Sequence, residues 1–232
     1  MIVKKDFIEI EFVGKSDEGK IFDTNIEKIA KENKLYAEEE KERFKPLKVC
    51  VGENMLVAGF DKALEGKELD KEYKIELKPK DAFGERNSQY IKTVSVNSFR
   101  KSGMEPVAGM VVSLDNVLAR IAAVSGGRVI IDLNNPLAGK NVIYEFKILK
   151  KIDNEQEKIE IAINMLLGLN ADVKIAHEGD KKIAKIWLDL KIPEKVENKA
   201  KERIKELTNL ESEFLVKEKS KPEEKEEIKD IQ

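Results

Sequence analysis

Cysteine and histidine are almost missing from this chain. Its 232 residues hold one cysteine, one histidine and one tryptophan. A lone cysteine excludes an internal disulfide. Cys50 stands between Val49 and Val51 in an apolar run, which reads as a small buried hydrophobe rather than a nucleophile. His177 has no histidine or cysteine companion, so no metal site and no cofactor are expected. No apolar run approaches the ~18 residues that a membrane span needs. The opening Met-Ile-Val-Lys-Lys-Asp has no apolar signal segment, so a soluble, cytoplasmic protein without a membrane partner is expected. Charge of one sign is also missing: 43 basic residues nearly cancel 45 acidic ones. No basic patch with interleaved aromatics stands out, which argues against nucleic acid as a partner.

What is present is apolar material at 41% and charge at 38%, enough for packed cores under a heavily charged surface. The length allows one large domain or two to three small ones. Abundant Lys and Glu with scarce Cys, His and Gln fit a thermophile's surface ion pairs. Phe7 to Val13 alternates as a half-buried strand, and Ser16-Asp17-Glu18-Gly19 turns it back into Lys20 to Asp23. Asn25 to Phe44 is a charged, helix-prone excursion, most of which reads as a solvated face. Strand patterns resume at Leu47 to Val51 and Glu72 to Leu77, with a short helix at Val57 to Leu64 between them.

Two pieces of one signature lie far apart. Asp81-Ala82-Phe83-Gly84 closes one segment, and Asp132-Leu133-Asn134-Asn135-Pro136-Leu137-Ala138-Gly139-Lys140 opens another that runs through Tyr144. Strands are expected between them at Tyr90 to Val96, Met110 to Leu114, Val117 to Ala123 and Arg128 to Leu133, with a hairpin turn at Ser125-Gly126-Gly127. A connection this long without structure would be unusual, so a second small domain is inserted into the first.

These residues, with Glu11-Phe12-Val13-Gly14, Asp17 to Asp23, Val51 to Phe60 and Ala63-Leu64-Glu65-Gly66, resemble the SlyD-like branch of the FKBP-type peptidyl-prolyl cis-trans isomerases, in an archaeal long form. The resemblance runs from about Ile2 to Lys150. It implies an α+β fold: an antiparallel FKBP half-barrel wrapped on a short helix (1–85 and 131–152), an inserted β-rich insert-in-flap domain (86–130) and a C-terminal α+β domain (154–216). Residues 217–232 are charged and read as a disordered tail.

Isomerisation of a prolyl bond needs no nucleophile, metal or acid–base pair. The barrier is amide resonance, about 18–20 kcal/mol. It falls when a protein binds the twisted amide better than either planar form. The twisted amide is the less polar species, so a dry aromatic pocket favours it. The resemblance implies catalytic Asp23, Phe60, Phe83 and Tyr144, with Phe60 as the floor under the proline ring. It implies Phe12, Phe22, Leu47, Leu56, Val57 and Leu137 as substrate-binding residues and a backbone donor near Val57. Without the resemblance, most of these apolar residues read as plain core. The pattern departs from the family at Phe12 and Phe83, where an aromatic hydroxyl is common, and at Phe60 and Asn135.

In relatives the insert binds unfolded chains, and Met104, Met110, Val112, Leu114 and Leu118 supply flexible apolar material for such a surface. The expected partners are unfolded or proline-containing polypeptides. Residues 154–216 make a small domain in which Leu188, Leu190 and Ile192 form one face of a strand and Trp187 lies on the other. Helices cover one face of its sheet, so a homodimer through this domain is expected. The alternative function is a non-catalytic holdase or assembly scaffold that keeps the peptide-binding core.

Overall fold

The computed structural model describes residues 1–114, 117–179 and 181–217. Asp180, which closes the expected hairpin turn at Glu178-Gly179-Asp180, and residues 218–232 of the expected tail lie outside the described residues. The chain divides into two compact units, 1–151 and 152–232. Its architecture is mixed α+β with mainly antiparallel sheets.

In the first unit, β1 (Phe7–Ser16) is the spine. Its Ile8, Ile10 and Phe12 are buried, as the period-2 alternation requires. β1 pairs antiparallel with β2 (Ile21–Thr24), with β3 (Leu47–Cys50) and with β9 (Val142–Lys151), and β9 also pairs with β4 (Glu72–Leu77). The sheet order is β2-β1-β9-β4. Helix α2 (Ala58–Leu64) sinks Phe60 and Leu64 into the core formed by the buried residues of these strands. The excursion after β2 forms α1 (Glu27–Glu32) and a 3₁₀ segment at Glu38–Phe44. Most of it faces solvent, as expected, while Ala30 and Phe44 are buried.

Residues 91–132 form a separate four-stranded sheet in the order β5-β8-β7-β6. Its strands are β5 (Ile91–Ser95), β6 (Val111–Leu114), β7 (Val117–Ser125) and β8 (Arg128–Asp132). Helix α3 (Val96–Lys101) covers it with Val96 and Phe99. The β7–β8 turn places Gly126 at φ 56° and Gly127 at φ 75°. Two consecutive left-handed residues make the tight hairpin that L side chains resist. Val112 is buried in this sheet's own core at 5% exposure, which removes it from the exposed surface expected of the insert.

In the second unit, α4 (Glu155–Leu167) resolves a segment whose pattern fits strand or helix. Ile159, Ala162 and Ile163 are buried at helical spacing, and the Asn154 side chain accepts from the Glu157 N–H at 2.9 Å as an N-cap. β10 (Asp172–Glu178) pairs antiparallel with β11 (Lys181–Leu188), which pairs parallel with β12 (Glu211–Val216) across α5 (Glu194–Thr208). The expected strand to Ile192 ends at Leu188. Its partner β12 runs out at Val216, and Leu190 is exposed. The expected face of Leu188, Leu190 and Ile192 is therefore replaced by the buried Ala184, Ile186 and Leu188, while α4 packs on β10 and α5 on β12.

Candidate active site

The aromatic residues of the first unit meet in one connected set. Phe60 stacks on Tyr144 at 4.5 Å between ring centroids and meets the Phe12 ring edge-on at 5.8 Å. Tyr144 lies 5.9 Å from Phe22, which lies 5.6 Å from Phe83, both in T-shaped contact. Four different elements supply these rings: β1, β2, α2 and β9, with Phe83 on the loop after β4. Phe12, Phe60 and Tyr144 are buried, whereas Phe22 and Phe83 are half-buried, so the set passes from core to surface. Leu47, Leu56 and Val57 are half-buried against the same core. Leu137 is not packed on that core. It lines an adjoining cavity of about 450 Å³ with Phe22.

Gly14 explains why β1 and β9 can hold the rings so close. A Cβ at this position would lie 2.8 Å from Phe22 and 3.1 Å from Tyr144. Any side chain there displaces a wall of the site.

Asp23 projects from β2 and receives a hydrogen bond from Arg43 at 2.8 Å. Arg43 comes from the 3₁₀ segment, twenty residues later, and no local pattern singles it out. Its guanidinium is held more firmly protonated, chiefly by that hydrogen bond. Burial, and then the Asp23 charge, push the Tyr144 phenol well above its usual value. Tyr144 therefore stays a neutral O–H donor at any ordinary pH. Its hydroxyl has no partner within the chain among the described residues, and Ser212 Oγ is the one fully buried side-chain polar atom left unpaired there. The Tyr144 hydroxyl therefore reaches accessible space, although its ring is buried. The Val57 N–H likewise has no hydrogen-bond partner among the described residues.

Two further residues hold the walls and were not singled out from sequence. Asn25 is buried; its side chain accepts from the Phe12 N–H and donates to the Ile10 carbonyl, each at 2.8 Å. Asp61 is buried at 3% exposure and accepts from the Gly52 and Asn54 N–H groups, both at 2.9 Å. It fixes the loop that leads to Leu56 and Val57. Phe146, 5.0 Å from Phe60, extends the ring set inward and was also missed.

Outside this site, Met104, Met110 and Leu118 are exposed, and Leu114 is half-buried. His177 is exposed on β10, and Trp187 is half-buried with Lys174 Nζ 5.7 Å from its ring centroid. Cys50 is buried and forms no disulfide. Among the described residues, no helix is long and apolar enough to cross a membrane.

The sequence model of the FKBP-type peptidyl-prolyl cis-trans isomerases matches residues 1–99, and that of the FKBP26 IF domain matches residues 92–137. A short-type peptidyl-prolyl cis-trans isomerase of Methanocaldococcus jannaschii is 32% identical over 148 residues, 64% of this chain and 92% of that protein. The FKBP-type peptidyl-prolyl cis-trans isomerase SlyD of Helicobacter pylori is 32% identical over 119 residues, 49% of this chain and 63% of that protein. SlyD of Pasteurella multocida is 30% identical over 118 residues, 49% of this chain and 59% of that protein.

Proposed function

Because this chain belongs to the FKBP-type peptidyl-prolyl cis-trans isomerases and is an enzyme of that class, we propose that it catalyses the prolyl steps of protein folding at the ring set of Phe12, Phe22, Phe60, Phe83 and Tyr144. The observation that carries this reading is the passage of those rings from core to surface beside two unpaired donors, the Tyr144 hydroxyl and the Val57 N–H.

The mechanism follows from the chemistry of the site. The proline ring rests on Phe60, and the rings exclude water. As the amide twists, resonance is lost and the carbonyl becomes less polar, so transfer to the dry site becomes easier along the reaction coordinate. The Val57 N–H holds the substrate backbone. The Phe83 ring has no hydroxyl to orient the carbonyl, and the Tyr144 hydroxyl takes that task. Asp23 supplies the polar edge of the site, and Arg43 fixes its carboxylate.

Residues 1–85 and 131–152 form the isomerase domain on this reading, and 86–130 form a chaperone domain that holds unfolded chains beside it. The exposed Met104, Met110 and Leu118 support this role, together with the half-buried Leu114. A tether of this kind raises the local concentration of a client's prolyl bonds at the site. Residues 154–216 form the α+β domain that pairs two copies. Its sheet face opposite the helices presents Ile183, Trp187 and Leu215, all half-buried. A reducing cytoplasm suits a chain whose single cysteine forms no disulfide.

The test replaces residues 86–130 with a short turn. Isomerisation of a short proline peptide persists, while acceleration of proline-limited refolding and suppression of aggregation fall sharply. Unchanged refolding acceleration would remove the insert from the mechanism.

A further inference from the structure

A cleft adjoins the aromatic site on the side of the insert. Its larger part, about 760 Å³, is walled by Lys20, Arg86, Arg120 and Lys140 and by the apolar Val111 and Leu118. The smaller cavity of about 450 Å³ shares Lys20, Arg120 and Lys140 and adds Phe22. Phe22 belongs to the ring set as well, so the cleft is continuous with the prolyl site.

The charges of this cleft do not balance. Arg86 is paired with Asp132. Lys20, Arg120 and Lys140 make no ion pair among the described residues. Among the described residues, Glu18, on the smaller cavity, is the one remaining carboxylate in either lining. Several cations of the main sheet are matched, as in Lys15 with Glu145 at 2.5 Å, Lys150 with Glu9 at 3.0 Å and Lys151 with Asp6 at 2.7 Å. The chain as a whole is nearly neutral. What distinguishes Lys20, Arg120 and Lys140 is that all three line one concave space. Low-dielectric walls focus their field into the cleft.

We propose that this cleft receives the stretch of a client polypeptide next to the isomerised proline and selects acidic residues there. The proposal rests on the reading above, in which client chains run from the prolyl site toward the insert. A cavity of about 760 Å³ is roughly 9 Å across, and an extended chain advances about 3.3–3.6 Å per residue. The favoured carboxylates therefore lie within about three or four residues of the proline. Val111 and Leu118 provide an apolar wall for the side chains between them. The cleft makes the enzyme choose among prolyl bonds by their acidic neighbours, a preference that the ring set alone does not impose.

Three proline peptides of equal length test this, carrying two Glu, two Gln or two Lys within four residues of the proline on either side. With the full-length protein at low ionic strength, kcat/KM ranks Glu above Gln above Lys, with Glu over Gln by roughly fivefold, as two exposed ion pairs provide. At about 1 M salt, where screening acts over about 3 Å, the ranking collapses. The triple variant Lys20→Gln, Arg120→Gln, Lys140→Gln loses the ranking and turns over the Gln peptide at the wild-type rate. The proposal is overturned if the wild-type protein shows no ranking at low salt, or if the triple variant keeps it. It is also overturned if a single-stranded oligonucleotide inhibits isomerisation more tightly than the Glu peptide, since the cleft would then serve phosphates. Aggregation suppression with a neutral apolar client, measured in parallel, reports the chaperone reading separately. That activity survives in the triple variant, so either reading can fail without the other.

Discussion

Tyr144→Phe is the most discriminating single change, because it removes one oxygen and leaves the ring. The 4.5 Å stack on Phe60 and the contacts with Phe12 and Phe22 persist. The hydroxyl has no partner within the chain among the described residues, so its loss breaks no hydrogen bond of the fold. Stability at pH 7 should therefore change by no more than about 0.5 kcal/mol, the range of substitutions away from structural features. If the hydroxyl orients the substrate carbonyl, one hydrogen bond of about 0.5–1.5 kcal/mol is lost from the transition state. At about 1.36 kcal/mol per decade, kcat/KM falls roughly two- to twelvefold. A protease-coupled assay on a short proline peptide reads this directly. A second readout is alkaline unfolding. Tyr144 is held protonated in the fold by burial and by Asp23, whereas an unfolded tyrosine titrates near pH 10. Its contribution is fully present below pH 10. Above pH 10 the unfolded chain binds fewer protons than the fold, so stability falls by up to about 1.4 kcal/mol per pH unit. Tyr144→Phe removes that part of the slope. An unchanged kcat/KM with the alkaline slope reduced would refute the catalytic role and leave Tyr144 as a core residue.

Asp23→Ala should lower kcat/KM on the same peptide, and Arg43→Gln should lower it less, since it loosens the carboxylate without removing it. Neither should cost more than about 1 kcal/mol in denaturant melts, because the pair is substantially exposed. Wild-type rates in Asp23→Ala would take Asp23 out of the site. Light scattering on the full chain should give twice the mass of one chain at micromolar concentration, and Trp187→Lys should give one. A monomeric wild-type chain would end the dimer reading.

Several features were legible in the sequence because their causes are local. The alternation of Ile8, Ile10 and Phe12 fixes which face of β1 is buried, since strand side chains alternate by geometry. Gly126-Gly127 fixes a hairpin because few other residues enter the left-handed region. The ordered aromatic positions from Phe12 to Tyr144 identify the ring set by resemblance. Sequence alone left the segment that became α4 open between strand and helix, because a short apolar run satisfies both periods. Only the tertiary structure decided that it is a helix, by giving Ile159 and Ile163 a sheet to cover. It ended β11 at Leu188, where the partner strand stops, and it drew Val112 into the insert's core. It also brought Arg43 to Asp23, Asp61 to the loop before Val57, and Lys20 to Arg120 and Lys140 around one cleft. Such contacts join residues far apart in the chain, and periodicity and turn chemistry describe only near neighbours. The sequence alone therefore determined which side chains are available for a dry aromatic site. The fold decided which charges face it and which donors remain unpaired, because both depend on packing between distant segments.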